Sequence, residues 1–247
     1  MNIPMTTESI PLVDTKQMIE VDRAMMEDYR IELIQMMENA GRSLAHLARA
    51  RFLDGDPLGK NIIVLAGTGG NGGGALTTAR RLANYGTNVT VVTTRTAESF
   101  EGIPGHQLKI LQHMGVPIFQ EEKLKADDGH YHRIIDGIIG YSLRGAPHGS
   151  AANLIRWAND QNNPPLSLDV PSGVDGTTGE AYDPSIIATA TMTLALPKTG
   201  LMEKDLVPTV GDLYLADISV PPALYAGSEL EFDVGPIFSH SDIVRLR

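Results

Sequence analysis

The stretch Ile62-Ile63-Val64-Leu65-Ala66-Gly67-Thr68-Gly69-Gly70-Asn71-Gly72-Gly73-Gly74 decides the fold. Five consecutive apolar residues read as a strand buried on both faces. Six of the next eight residues are glycine, an entropic cost that a packed protein carries only where its backbone must turn tightly or approach something closely. Residues 75–84 then read as a helix, with Ala75, Leu76, Ala79, Leu82 and Ala83 sharing a face. Strand, glycine loop and helix in that order aim backbone N–H groups at a helix N-terminus, where an anion such as a phosphate is held. A plain surface turn is the alternative, and its place at a strand-to-helix junction argues against it.

Working outward, apolar strands are expected at residues 89–92, 116–119, 134–135, 166–168, 192–196 and 213–215, with helices at 107–114 and 151–159. Continuous rather than alternating apolar strands indicate a parallel sheet covered on both faces. The expected fold is therefore α/β, a three-layer, doubly wound, mainly parallel sheet of Rossmann-like type. Two N-terminal helices precede it: one capped by Asp14 or Thr15 and running to about Tyr29, one carrying Leu33, Met36, Met37, Ala40, Leu44 and Leu47 at helical spacing. Gly41 lets a neighbour come close to the second. The methionine stripe reads as core or as a subunit interface. Residues 1–13 form an arm, and residues 14–247 a single domain without repeats or linkers.

A formal charge of -10 argues against nucleic acid as a partner, because phosphate backbones require a basic footprint. With no cysteine, disulfides and thiolate ligands are excluded. No apolar run approaches the ~20 residues of a membrane span, and no basic-then-apolar leader pattern is present. A cytoplasmic protein without membrane contact is expected.

In a doubly wound sheet the ligand crevice lies beyond the carboxyl ends of the strands. Asp136, Asp169, Ser172 and Lys198 follow the later strands, and Asn71 follows the first. The spelling G-x-G-x-x-G over residues 67–72 invites a dehydrogenase reading. However, the second strand ends Val92-Thr93-Thr94-Arg95 without the acid that holds a ribose about 20 residues past the glycines. Arg95 suits a 2′-phosphate, and Arg144 is a second possible phosphate contact, but no hydride-transfer acid is evident. Ser172 lies in Pro-Ser-Gly, not G-x-S-x-G, which removes a hydrolase. His130 and His132 alternate in a polar loop and lack the partners of a zinc site. Asn71, Asp136 and Ser172 leave an oxygen-rich set suited to an alkali or alkaline-earth cation.

These motifs together resemble the YjeF N-terminal-domain family, the NAD(P)HX epimerases. The resemblance covers Gln17-Met18, Asp22, Met37-Glu38-Asn39-Ala40-Gly41, the glycine loop with Ala79-Arg80, residues 136–145, residues 169–175 with Thr178-Gly179, Ala195-Leu196-Pro197-Lys198, and Asp217-Ile218-Ser219-Val220-Pro221. It implies an epimerase that interconverts the R and S forms of hydrated NADH or NADPH, with a potassium ion on Asn71, Asp136 and Ser172. It implies substrate contacts at Gly70, Asn71, Gly72, Gly73, Gly74, at Gly140, Tyr141, Ser142, Leu143, Arg144, Gly145, Ala146, and at Asp169, the candidate catalytic residue. A homodimer is implied as well, and the kinase-like repair domain fused to many relatives is not expected here.

The family loop reads G-x-G-N-N-G-G-D-G. This chain has Gly70 for the first asparagine, Gly74 for the aspartate and Ala75 for the last glycine, and Gly137 for the usual alanine. The lost carboxylate at Gly74 raises a competing reading, a non-catalytic nucleotide-binding or scaffold protein on the same fold. An RNA-associated scaffold is disfavoured by the acidic charge.

Overall fold

The computed structural model describes residues 3–6, 9–126, 130–227 and 229–247. Its frame is one eight-stranded sheet: β1 (Asn61–Ala66), β2 (Asn88–Thr93), β3 (Ile118–Gln120), β4 (Arg133–Gly137), β5 (Leu166–Leu168), β6 (Ala190–Leu194), β7 (Asp212–Ala216) and β8 (Ile243–Arg245). The order is β3-β2-β1-β4-β5-β6-β7-β8, parallel except for the last pair. From β1 the chain moves outward to β2 and β3, then returns to the other side of β1 as β4. The switch point, and hence the crevice, lies between the ends of β1 and β4.

The apolar run of β1 is continuous because both sheet faces are covered. Ile62, Val64 and Ala66 join the core cluster that takes in Leu44, Leu76, Leu82 and Leu111, while Ile63 and Leu65 join Leu154 and Ile155 on the other face. The first four of these partners lie on α2 (Leu33–Leu47), α3 (Gly70–Asn84) and α4 (Gly102–His113), and the last two on α5 (Gly149–Asn159). Before α2 comes α1 (Thr15–Glu27), opened by an Asp14–Gln17 capping box. Met18, Met25, Met36 and Met37 are all buried within this one chain, so the methionine stripe is core.

The bounds of several elements are corrected, and one strand was not expected; α4, for one, starts at Gly102 and not at residue 107. The helix after β1 starts at Gly70, not Ala75, so Gly72, Gly73 and Gly74 are helical and buried. They are glycine because other parts of the chain press on them. A Cβ at Gly72 would overlap Gly67 O, one at Gly73 would lie 2.6 Å from Met37 Sδ, and one at Gly74 2.8 Å from Leu168 Cδ2. β6 runs over 190–194, not 192–196, because Ala195 turns the chain with φ +64°. β3 is displaced two residues from its expected start, to Ile118. β8 was not expected: three residues near the C-terminus, antiparallel to β7, are too short to show a period.

Gly41 does admit a neighbour, since a Cβ there would meet Thr77 Cγ2 at 2.6 Å and Gly74 O at 2.8 Å on α3. In the N-terminal arm, Thr6 N donates to Arg245 O at 2.9 Å and Val13 N to Pro197 O at 3.0 Å. Residues 1, 2, 7 and 8 of that arm lie outside the described residues. No helix among the described residues is long and apolar enough to cross a membrane.

Candidate functional site

A cavity of about 560 Å³ opens over the carboxyl ends of β1, β2, β4 and β5. On one side stands the start of α3. Gly73 N already bonds Gly69 O at 3.0 Å, which leaves the N–H groups of Gly70, Asn71 and Gly72 without intrahelical acceptors. Gly69, the N-cap residue, offers no side chain to satisfy them. This end of α3 is therefore open to an anion. Gly70, Asn71 and Gly74 line the cavity, whereas Gly72 and Gly73 are buried behind the first turn.

The opposite side is the segment after β4. Gly140, Tyr141, Ser142, Leu143, Arg144, Gly145 and Ala146 all line the cavity. The segment is held from below by Asp136, which is fully buried. One carboxylate oxygen of Asp136 accepts from Ile138 N at 3.2 Å and Ser172 Oγ at 2.5 Å. The other accepts from Ser167 Oγ at 2.8 Å and Ser172 N at 2.9 Å. Ser172 Oγ also accepts from Ile139 N at 2.8 Å. Burial pushes the Asp136 pKa up, and these four donors pull it back. Asp136 and Ser172 therefore form a layer beneath the cavity and do not line it.

No cationic side chain pairs with Asp136 among the described residues, and no cluster of three His, Cys, Asp or Glu side chains is found there that could hold a transition metal. Asn71 Nδ2 is buried without a hydrogen-bond partner. Gly140 packs against the Asn71 side chain, its Cβ position 3.1 Å from Asn71 Cγ. A buried carboxylate lacking a countercharge and a serine hydroxyl are hard oxygen ligands that fit an alkali cation, to which Asn71 would offer its amide oxygen and not the unpartnered nitrogen. His132 is otherwise engaged, its Nδ1 accepting from Asn61 N at 3.0 Å.

Asp169 ends β5 at the inner wall. Its φ is +66°, and Val170 N bonds Leu168 O at 2.9 Å across it, a γ-turn of the rare positive-φ kind. Aspartate tolerates this left-handed backbone better than most residues, and such strain concentrates at functional sites. Lys198 Nζ donates to Asp169 Oδ1 at 2.5 Å and to Leu194 O at 2.9 Å, with its side chain fully buried. Tyr141 N donates to Asp169 Oδ2 at 3.2 Å. Tyr141 Oη in turn donates to Asp22 Oδ2 of α1 at 2.5 Å. Burial raises the pKa of Asp22, against the opposing hydrogen bond from Tyr141 and the charge of Lys198. The Tyr141 phenol is driven up by burial and then by the Asp22 charge. The sequence placed Lys198 at this edge without a partner, and gave no sign that Tyr141 is tied to Asp22.

A family model described as YjeF-related protein N-terminus matches residues 33–200. The chain belongs to this family. It is 40% identical over 224 residues to the NAD(P)H-hydrate epimerase of Dehalogenimonas lykanthroporepellens, covering 91% of this chain and 88% of that one. To the NAD(P)H-hydrate epimerase of Truepera radiovictrix it is 36% identical, over 84% of this chain and 90% of the relative. The bifunctional NAD(P)H-hydrate repair enzyme Nnr of Moorella thermoacetica is 33% identical over 87% of this chain, which spans 42% of that longer protein. Among solved structures, yeast ynu0 superposes with a TM-score of 0.79 at 25% identity, over 96% of this chain and all of the yeast one.

Within the YjeF pattern, two departures of this chain meet in space. A Cβ at Gly137 would overlap the Cβ of Ala75. The pattern has alanine at the first position and glycine at the second. This chain has the reverse, so the methyl group has crossed the contact between β4 and α3.

Proposed function

We propose that this protein is an epimerase of damaged nicotinamide cofactors, interconverting the R and S forms of hydrated NADH or NADPH. The observation that carries this reading is the buried Asp169–Lys198 pair, facing across the cavity the open N-terminus of α3. The names of the family relatives support the reaction. A diphosphate on the free N–H groups of Gly70 and Asn71 leaves the nicotinamide end to reach β5.

Epimerisation breaks the C–O bond at the hydrated ring carbon and re-forms it on the opposite face. The ring nitrogen lone pair expels the hydroxyl, which takes a proton and departs as water, leaving an iminium cation. Water then adds to the other face and gives up a proton, so one proton and one water enter and leave. Lys198 Nζ is the proton donor of the first step, and the Asp169 carboxylate faces the cation and receives the proton of the second. Being hydrogen-bonded to each other, the two can be reset without bulk water.

The uncharged wall at Gly74 is compatible with this chemistry, because both acid and base come from the β5 and β6 ends. The same pair speaks against a purely binding or scaffold protein. Potassium belongs to the reading, held by Asn71, Asp136 and Ser172. When bound it supplies a countercharge to Asp136 and links the turns after β1, β4 and β5. A homodimer in the cytoplasm, with residues 14–247 acting as one domain, completes it. The test is Asp169→Asn, which should abolish interconversion in protein that circular dichroism shows to be folded. Full activity in that variant removes Asp169 from the mechanism.

A further inference from the structure

Beyond the glycine turn the cavity reaches the carboxyl end of β2, where Thr94 and Arg95 form part of its wall. This end is fixed from two sides. Thr94 N donates to Ala66 O of β1 at 3.1 Å, directly before the glycine turn. Thr93 Oγ1 donates to Arg95 O at 2.7 Å and to Phe119 O of β3 at 3.3 Å. The backbone at Arg95 is thus as firmly placed as the sheet itself. Its side chain is exposed and makes no ion pair among the described residues. The nearest acid in sequence, Glu98, accepts from its own backbone and from Thr96.

A dinucleotide lying across the switch point with its diphosphate at α3 directs one half toward β4 and β5 and the other toward β2. The half at β5 meets Asp169 and Lys198, so the adenosine ribose falls to β2. In folds of this topology the residue after the second strand reads the ribose 2′ position: a carboxylate accepts from the hydroxyl, an arginine takes a phosphate. Here no carboxylate stands at that point and an unpaired arginine does. We infer that Arg95 binds the 2′-phosphate of the adenosine ribose and makes this site selective for the 2′-phosphorylated form of the hydrated dinucleotide. The inference rests on the nucleotide reading above but not on catalysis. Arg144, the other arginine of the cavity, stands on the segment after β4, on the far side of the switch point from β2.

Calorimetric titration of the whole protein with adenosine 2′,5′-bisphosphate and with adenosine 5′-monophosphate tests it without any chemistry. Wild type should bind the bisphosphate about ten-fold or more tightly, as a charge-assisted contact provides. Arg95→Ala should abolish that preference and Arg144→Ala should keep it. Equal binding of the two by wild type, binding of neither, or a preference that survives in Arg95→Ala overturns the inference. In parallel, the ratio of kcat/KM for hydrated NADPH over hydrated NADH should fall by the same factor in Arg95→Ala. If wild type epimerises neither cofactor while the fragment preference holds, the epimerase reading fails and the role of Arg95 stands.

Discussion

Lys198 Nζ lies 2.5 Å from Asp169 Oδ1, and neither side chain is more than 5% exposed. A buried pair of this kind is costly to break from one side, because the survivor keeps its desolvation penalty without its partner. Lys198→Met should therefore destabilise the protein by about 3 kcal/mol or more. The double substitution with Asp169→Asn should cost less than Lys198→Met alone, since asparagine also accepts the left-handed backbone at that position. Urea denaturation of the four proteins gives the coupling. Losses that simply add in the double variant would mean that the pair is not energetically linked.

Asp22 carries a signed pH dependence. Its folded pKa lies above the unfolded value because of burial, so the folded state binds the proton more tightly. Its contribution to stability is then fullest below the unfolded carboxylate value, about 3.9, and is lost as pH rises through the raised folded value. Asp22→Asn should remove this decline, seen as a flatter difference curve against wild type in urea melts from pH 4 to 8. Tyr141→Phe deletes the hydrogen bond that holds the Asp22 pKa down, so the decline should shift to higher pH.

Gly137 and Ala75 should behave as a coupled pair. Gly137→Ala alone forces two methyl groups into one space and should cost about 1–3 kcal/mol, the usual range for overpacking. Adding Ala75→Gly should restore most of that loss, beyond its own small helix-propensity cost. A double-mutant cycle measured by thermal or urea unfolding checks it, and additivity would show that the contact does not constrain either residue.

Much of this site was legible because parallel strands impose strong sequence signals. The apolar β1 run and the turn cluster after it fix the switch point. Asp136, Asp169 and Ser172 then fall on the correct edge by counting from strand ends. The start of α3 was not legible, since glycines at 70–74 look like a loop when the packing of Met37, Gly67 and Leu168 against them is unseen. The Lys198–Asp169 and Tyr141–Asp22 contacts join residues 29 and 119 positions apart, which no local pattern encodes. β8 depends on a β7 edge that completes it, not on its own three residues.

Potassium should raise stability by mass action. At ten times the dissociation constant a single ion contributes about 1.4 kcal/mol, or roughly 3–5 °C in Tm for a chain of this size. Melts in potassium chloride and in tetramethylammonium chloride at equal ionic strength measure the difference. Asn71→Ala and Ser172→Ala should reduce it, and a wild-type Tm indifferent to the cation would argue against the site.

With Gly74 in its loop, this chain should still carry out the epimerisation. Purified protein mixed with a single epimer of hydrated NADPH, followed by chromatography, tests this most directly. The other epimer should appear far faster than in buffer alone, until the two reach their equilibrium ratio. Unaccelerated conversion by a folded protein that binds the dinucleotide would contradict it.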